Sequence, residues 1–226
     1  LFALFEAYPK LIDLLIDIVA TSPALAQYLA RNAQVFDAVI AGAFWDKWPG
    51  PEELIDELRT IFDTSAYYER KLDAARRWGK EWHFRIGVHL LRGLISAEEA
   101  GAQYADLAKT MIAGLFPEVI AEFSVKHGNP PGRGAVVLGM GSLGAGRLHS
   151  ASDLDLIIIY DADGVEVSEG RRPLQARLYY ARLTQALVTA VTAPMTEGRL
   201  YKVDMRLRPS GNQGPVATSW QAFTNY

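Results

Sequence analysis

Two aspartates separated by one residue begin the apolar segment DLDLIIIY, residues 153–160. The composition of this segment predicts a β-strand. Alternate residues of a strand share a face, so Asp153 and Asp155 point the same way, while Leu154 and Leu156 point to the other side. Two carboxylates about 6–7 Å apart along a strand repel one another unless a cation lies between them. Oxygen ligands of this kind suit Mg²⁺ or Mn²⁺, so the pair predicts a divalent-metal site.

A second segment with candidate catalytic residues, LYKVDMRLR, follows at residues 200–208 and alternates polar with apolar side chains. The alternation predicts another strand, whose polar face carries one acid and three cations: Asp204, Lys202, Arg206 and Arg208. Beside the first strand, Asp204 would be a third metal ligand and a general base, and the cations would offset the charge of a triphosphate. Taken alone, the alternation fits equally well an edge strand with a solvated, salt-bridged face.

The glycine-rich loop GMGSLGAGRLHS, residues 139–150, resembles two phosphate-binding motifs without meeting the requirements of either. It satisfies the G-x-G-x-x-G pattern, but in dinucleotide-binding folds that loop opens a crossover of a dozen or more residues. Here the predicted strand begins within ten residues of Gly144. A Walker-type loop needs Lys followed by Ser or Thr, where this chain has Arg147 and Leu148. Both interpretations are rejected.

A third interpretation, a nucleotidyltransferase site, fits the loop and the acids together. Such a site needs a Gly-Ser turn whose backbone amides meet a triphosphate, followed by carboxylates that hold a divalent metal. Gly141 and Ser142 supply the turn. The predicted metal ligands and catalytic acids are Asp153, Asp155 and Asp204.

The elements around these residues predict an α+β fold. Roughly the first 125 residues have helical periodicity, with one apolar stripe formed by Leu11, Leu14, Leu15, Ile18 and Val19. Ser96 to Glu99 has the form of a capping box, and the helix that it opens is expected to kink or break near Pro117. A small mixed or antiparallel sheet follows, with strands at 135–138, 153–160 and 200–208 and a helix at 171–193. The helical part, including His83 and His89, is expected to contribute no reacting group.

Composition excludes several other classes of site. The chain has no cysteine, so thiolate catalysis and Cys-ligated zinc are excluded, and its four histidines lack metal-binding spacing. A net charge of −3 argues against a non-specific nucleic-acid binder. No run of about 18 apolar residues predicts a membrane span, and no basic leader is evident, so we expect a cytoplasmic protein. The missing initiator Met and the abrupt end predict a fragment of a longer protein.

The spacing G-S, ten residues, D-x-D resembles the signature of the DNA polymerase beta-like nucleotidyltransferase superfamily. Within it, the chain resembles the glutamine synthetase adenylyltransferases in nearly its whole length, above all in GMGSLGAGRLHSASDLDLIIIYD and VDMRLRPSG. Members of this family are large enzymes with two catalytic halves. One half attaches AMP to a tyrosine of glutamine synthetase, and the other removes it by phosphorolysis. One departure is that Ser142 stands where the family usually has Lys, and Arg147 is the cation expected to replace that Lys at the phosphates.

The resemblance implies ATP as substrate, Mg²⁺ or Mn²⁺ as cofactor and glutamine synthetase as partner, with a nitrogen-signalling regulatory protein as a further partner. RLRPSG followed by TS and AF-x-x-Y resembles the adenylylating, C-terminal half. Residues 1–95 would then be a helical segment joining the two halves, and residues 96–226 a nucleotidyltransferase domain truncated at its C-terminus. The alternatives left open are the removing half, a transferase with another acceptor, and a catalytically silent nucleotide-sensing module.

Overall fold

The computed structural model of the chain describes residues 10–32, 35–194, 198–209 and 211–226. As predicted, its first half is helical. The described helices of this half are α1 (Lys10–Thr21), α2 (Pro23–Arg31), α3 (Val35–Ala41), α4 (Pro51–Asp63), α5 (Tyr68–Leu91) and α6 (Ala97–His127), with a 3-10 turn at Ala43–Trp45. None of the described helices is long and apolar enough to cross a membrane.

Apolar burial on one face accounts for the first helices. Leu11, Leu14 and Ile18 of α1 are buried and lie at the spacing of one helix face. They belong to the same hydrophobic cluster as Phe84 of α5. Val19, which the sequence places on the same stripe, is 60% exposed instead. The predicted stripe is therefore narrower in the structure than in the sequence.

Helix α6 begins at the predicted capping box. The amide of Glu99 donates to Ser96 Oγ at 3.1 Å, and the amide of Ser96 donates to Glu99 Oε2 at 2.7 Å. Of the expected kink or break near Pro117, the break is wrong, because α6 continues through this residue. A proline inside a helix costs about 3 kcal/mol. Leu115 and Val119, on either side, are each 1% exposed, so packing of this face against the core outweighs the unfavourable local preference.

The second half of the chain contains a small mixed sheet. Its strands are β1 (Gly134–Gly139), β2 (Leu154–Asp161), β3 (Val203–Asp204) and β4 (Ala217–Ser219), and its helices are α7 (Gly141–Gly144), α8 (Ala176–Thr192) and α9 (Trp220–Thr224), with a 3-10 turn at Gly211–Gln213. β2 is central: it pairs antiparallel with β1 and parallel with both β3 and β4. A mixed sheet after a helical part confirms the predicted α+β fold.

Strands β1 and β2 lie within one residue of their predicted bounds at each end. Their pairing is antiparallel and places Gly139 opposite Leu156. A dinucleotide-binding loop joins parallel strands through a crossover helix. The antiparallel pairing therefore agrees with the rejection of that motif, and it brings the glycine loop back to the beginning of β2.

Strand β3 is much shorter than predicted. Within residues 200–208, Val203 and Asp204 are the two residues that pair with β2. Directly afterwards the carboxylate of Asp204 accepts a hydrogen bond from the backbone amide of Arg206 at 2.8 Å. Such a local bond competes with the ladder of a sheet, and here the chain turns. The prediction that four polar side chains share one strand face is therefore wrong. These are the side chains of Lys202, Asp204, Arg206 and Arg208.

Helix α8 begins later than predicted, at Ala176 instead of Arg171. Gln175, which directly precedes α8, forms an isolated antiparallel bridge with Val167 instead. Once formed, α8 packs with α6 and β2 in one hydrophobic core, in which Leu156 of β2 is 1% exposed. This core packs on the face of the sheet opposite to Asp155, because successive strand residues point to opposite sides.

Arg76 of α5 joins the helical part to α8. Its side chain is 1% exposed and its guanidinium donates to the carbonyl oxygens of Ala190 at 2.5 Å and Ala193 at 3.3 Å. It also donates to the carbonyl of Leu72 in its own helix at 2.9 Å. The last carbonyls of a helix have no donor within that helix. Arg76 supplies one from outside and caps the C-terminal end of α8.

Candidate active site

The Gly-Ser turn and the D-x-D segment lie directly against each other. The backbone amide of Met140 donates to the carbonyl oxygen of Asp155 at 2.8 Å. Gly141 has a φ of +52°, and a Cβ at this position would lie 2.3 Å from Asp155 Oδ2. Both the left-handed backbone and the close carboxylate require a residue without a side chain. Gly141 thus forms the surface on which the Asp155 carboxylate rests.

Asp155 and Asp204 lie side by side on neighbouring strands. The parallel register pairs them directly, and paired residues on strands about 4.8 Å apart present their side chains on the same face. Both are partly buried, whereas Asp153 is exposed and precedes β2. Among the described residues, no three His, Asp or Glu side chains converge into a ready-made metal cluster. The structure therefore brings two of the three predicted acids together and does not draw Asp153 into one cluster with them.

Arg206 binds the carboxylate of Asp204. Its Nε lies 3.0 Å from Oδ1 and 2.7 Å from Oδ2, and its Nη2 lies 2.5 Å from Oδ2. These side-chain bonds, with the backbone amide bond of Arg206, lower the pKa of Asp204 below its ordinary value. The pKa of Arg206 is raised in turn, chiefly by Asp204 and further by Asp155 and Asp153. Arg206 is thus the counterion of the acidic site.

The other predicted nucleotide-binding residues differ in their exposure and contacts. Ser142 is exposed in the short helix α7. Lys202 has an exposed side chain, and its carbonyl accepts the amide of Leu154 at 2.9 Å. Arg147 pairs with Glu98 of α6, with 2.9 Å between Nη2 and Oε1. Their contacts with a nucleotide stay predictions.

The described hydrogen bonds of Arg208 go to backbone carbonyl oxygens and not to the aspartates. It is buried, and its guanidinium donates to the carbonyl oxygens of Met205 at 2.5 Å and Gly214 at 3.4 Å. These bonds connect Met205, which precedes the proline-glycine loop, with Gly214 near the end of that loop. The described bonds of Arg208 therefore shape the loop after β3, and the sequence pattern alone does not reveal this role.

His83 of α5, which is predicted to contribute no reacting group, contacts the turn that leads to Asp153. Its Nε2 lies 3.0 Å from the carbonyl oxygen of Ser150, and burial lowers the pKa of His83. A neutral imidazole with its proton on Nε2 donates to that carbonyl. His83 and Ser150 are far apart in the chain, so no local pattern could have indicated their contact.

The donor set fits a divalent cation such as Mg²⁺ or Mn²⁺. Asp155 and Asp204 present carboxylate oxygens on one face, beside a turn whose glycine is required by the position of Asp155. Ions of this kind prefer hard oxygen ligands from carboxylates, phosphates and water. Asp153 is exposed and directly precedes β2, at the same end of the strand as Asp155, from where it can supply another oxygen ligand to the ion.

Comparisons with known proteins identify the family of the chain. A family model described as glutamate–ammonia ligase adenylyltransferase matches residues 12–226. The bifunctional glutamine synthetase adenylyltransferase/adenylyl-removing enzyme of Brucella suis is 42% identical over 227 residues, which cover 100% of this chain and 23% of that protein. The protein of the same name from Xanthobacter autotrophicus is 43% identical over 223 residues, 98% of this chain and 22% of the relative. The chain spans less than a quarter of the length of these relatives. It belongs to the glutamate–ammonia ligase adenylyltransferase family.

Proposed function

We propose that this chain carries the site that transfers AMP from ATP to a tyrosine of glutamine synthetase. The observation that carries the proposal is the assembly of Gly141, Asp155 and Asp204 in a member of this family. The relatives are named for both attaching and removing the adenylyl group. The loop at 209–211 and the TS–AF–Y tail resemble the attaching half, and this resemblance favours attachment over removal.

The proposed reaction forms a bond between the tyrosine oxygen and the α-phosphorus of ATP. The bond from that phosphorus to the bridging oxygen breaks, and pyrophosphate leaves. A bound divalent ion would neutralise phosphate charge and polarise the reacting phosphoryl group. Asp155 and Asp204, joined by Asp153, would hold the ion, and Asp204 would accept the tyrosine proton. Lys202 and Arg206 would offset the charge that develops on the departing pyrophosphate.

The triphosphate itself would lie over the Gly-Ser turn. The amides of Gly141 and Ser142 are the predicted donors to its oxygens. Arg147 is the nearest cation in sequence to the position where the family usually has Lys, and it would have to leave Glu98 to reach a phosphate. Because that pair is exposed on both sides, at 71% and 75% for the two side chains, breaking it is a small cost.

The test of this function uses a full-length enzyme of the relatives' kind that carries this chain at the matching position. Asp153→Asn together with Asp155→Asn should lower transfer of labelled AMP from ATP to unmodified glutamine synthetase by about 1,000-fold, or ~4 kcal/mol of barrier. Asp161→Asn with Asp163→Asn is the matched control. These two acids pair with Arg133 at the opposite end of β2, and their loss should leave the rate within about twofold.

The same variants distinguish the competing assignments. If attachment continues at the normal rate while release of AMP as ADP is abolished, the site belongs to the removing activity. If both reactions on glutamine synthetase continue unchanged, this site acts on another acceptor or is catalytically silent. Either result overturns the assignment to attachment.

A further inference from the structure

Arg206 engages both oxygens of the Asp204 carboxylate. The single hydrogen of Nε is shared between Oδ1 at 3.0 Å and Oδ2 at 2.7 Å, and Nη2 lies 2.5 Å from Oδ2. The backbone amide of Arg206 donates to Oδ1 as well. While this pair is intact, the guanidinium therefore occupies the place beside both oxygens that a second cation would take.

We propose that Arg206 and a divalent ion exchange at Asp204. The guanidinium neutralises the carboxylate while no ion is bound, and it must leave before Asp204 ligates one. This inference rests on the proposed function, because it takes Asp204 to be a metal ligand. It adds a step that the list of ligands does not contain: ion binding requires the opening of an arginine–carboxylate pair.

The exposure of the two partners makes the exchange physically cheap. The side chain of Arg206 is 73% exposed, while that of Asp204 is 18% exposed. The carboxylate is thus fixed on its strand, and the guanidinium can swing into water. An ion pair with one solvent-exposed partner contributes little net stability, so an ion can compete with it. A buried arginine such as Arg76 has no such freedom.

A bound triphosphate would assist the exchange. A guanidinium matches phosphate oxygens as well as it matches a carboxylate, with the same paired geometry. Arg206 follows Asp204 by two residues, so its displaced guanidinium stays beside the site. ATP would then draw Arg206 away from Asp204 and free the carboxylate for the ion. By linkage, nucleotide and ion would each strengthen the binding of the other by the same factor.

The experiment measures Mn²⁺ binding to the 226-residue chain by the paramagnetic resonance of free Mn²⁺. Titrations are made without nucleotide and with an ATP analogue whose α,β-bridging oxygen is a methylene group. Arg206→Met should bind Mn²⁺ alone about 5–10-fold more tightly than the unchanged chain, because the competitor is removed. After correction for the Mn²⁺ that the analogue holds in solution, the analogue should tighten Mn²⁺ binding to Arg206→Met by a smaller factor than in the unchanged chain, since the contacts of the ion with the phosphates remain in both. In the unchanged chain the analogue should tighten Mn²⁺ binding by at least about fivefold.

Two further variants separate exchange from a general effect of charge. Arg133→Met removes a cation from the carboxylates at the far end of β2 and should bind Mn²⁺ as the unchanged chain does. Arg206→Lys keeps the charge but cannot form the two-pronged contact, so its Mn²⁺ affinity should lie between those of Arg and Met. It also preserves the test if Arg206→Met does not fold, as judged by circular dichroism.

Different results would overturn the exchange and the proposed function. If Arg206→Met and Arg206→Lys bind Mn²⁺ no more tightly than the unchanged chain, while Asp204→Asn weakens binding, the metal site stands and the exchange is wrong. If neither Asp155→Asn nor Asp204→Asn weakens Mn²⁺ binding, the metal site of the proposed function is wrong, and the exchange with it.

Discussion

The helical part and the edge of the sheet are built on different principles. In α4 the side chains of Leu54 and Leu58 are completely buried in the shared core. At the sheet edge, Arg206 is 73% exposed and is held by charge and hydrogen bonds to Asp204. Apolar packing has one favourable arrangement, whereas exposed charges can change partners at little cost. The part proposed to carry the chemistry is therefore also the part whose side chains can rearrange.

Besides the shared hydrophobic core, two polar contacts of helix α5 connect the regions. Arg76 of α5 caps the end of α8, and His83 of the same helix holds the turn at Ser150. Both contacts are polar links from a packed helix to the elements beside the site. The comparison therefore predicts that helical residues affect stability strongly and chemistry weakly, with the reverse at the sheet edge.

The largest effect is expected for Arg76→Met. The substitution removes the donors to Ala190 and Ala193 and leaves buried carbonyl oxygens without partners, which should lower the free energy of unfolding by about 3–4 kcal/mol. Urea denaturation measures this change. Arg59→Met, which removes an exposed i,i+3 ion pair with Asp56, should cost less than about 0.5 kcal/mol. A loss below 1 kcal/mol for Arg76→Met would show that the cap is not a principal link between the regions.

The next effect is expected at the site, for Gly141→Ala. The new Cβ would lie 2.3 Å from Asp155 Oδ2, so the carboxylate must move. Displacement of a catalytic group by about 1 Å costs about 100-fold in rate, or ~2.7 kcal/mol. AMP transfer in the full-length enzyme measures it. Gly146→Ala is the matched control, since it has a similar left-handed φ of +71° but its nearest neighbour is Lys109 Nζ at 3.7 Å. Equal losses in the two variants would assign the effect to backbone strain.

The smallest effect is expected for His83→Gln. Glutamine keeps a donor for Ser150, so AMP transfer at pH 7.5 should change by less than about tenfold, or 1.4 kcal/mol. Its signature is the pH dependence of stability. Burial holds the pKa of His83 below the ordinary value of 6.5, so the unfolded chain takes up a proton first as the pH falls. The stability contributed by the neutral side chain is therefore present above pH 6.5 and is lost below it.

Thermal unfolding between pH 7.5 and pH 5 tests this dependence. The decline in stability should be shallower in His83→Gln, and shallower again when His89→Gln is added, because burial also lowers the pKa of His89. A loss of AMP transfer of several hundredfold in His83→Gln, with stability unchanged, would place chemistry in the helical part and contradict the division of roles between the two regions.

The sequence predicts the sheet better than it predicts the contacts of its charged residues. The D-x-D strand and the Gly-Ser turn follow from alternation and spacing, which are local properties of the chain. The parallel register that places Asp204 beside Asp155 joins distant segments and does not follow from them. The same alternation misplaced Arg206. A polar residue two positions after an aspartate fits a strand face, but it also fits a turn closed by that aspartate, and the Asp204 carboxylate selects the turn.

The position of Arg76 had no local signal at all. In the helical pattern it resembles a surface charge beside Arg77, and its burial arises from contact with the end of α8, more than a hundred residues later in the chain. Arg208 differs from Arg76, because its partner Gly214 is near in sequence and the bond depends on the conformation of the loop between them. Pairing over long distances in sequence depends on the packed fold and not on neighbouring residues.

The direct pairing of Asp155 with Asp204 has a consequence for folding equilibria. The two carboxylates come from distant segments and meet only when β3 has docked on β2. An ion held by both would therefore bind the native state and not the unfolded chain. By mass action, an ion at a hundred times its dissociation constant would add about 2.7 kcal/mol to the free energy of unfolding. The concentration of free divalent cations would then set how often this part of the protein is open to proteases and chaperones.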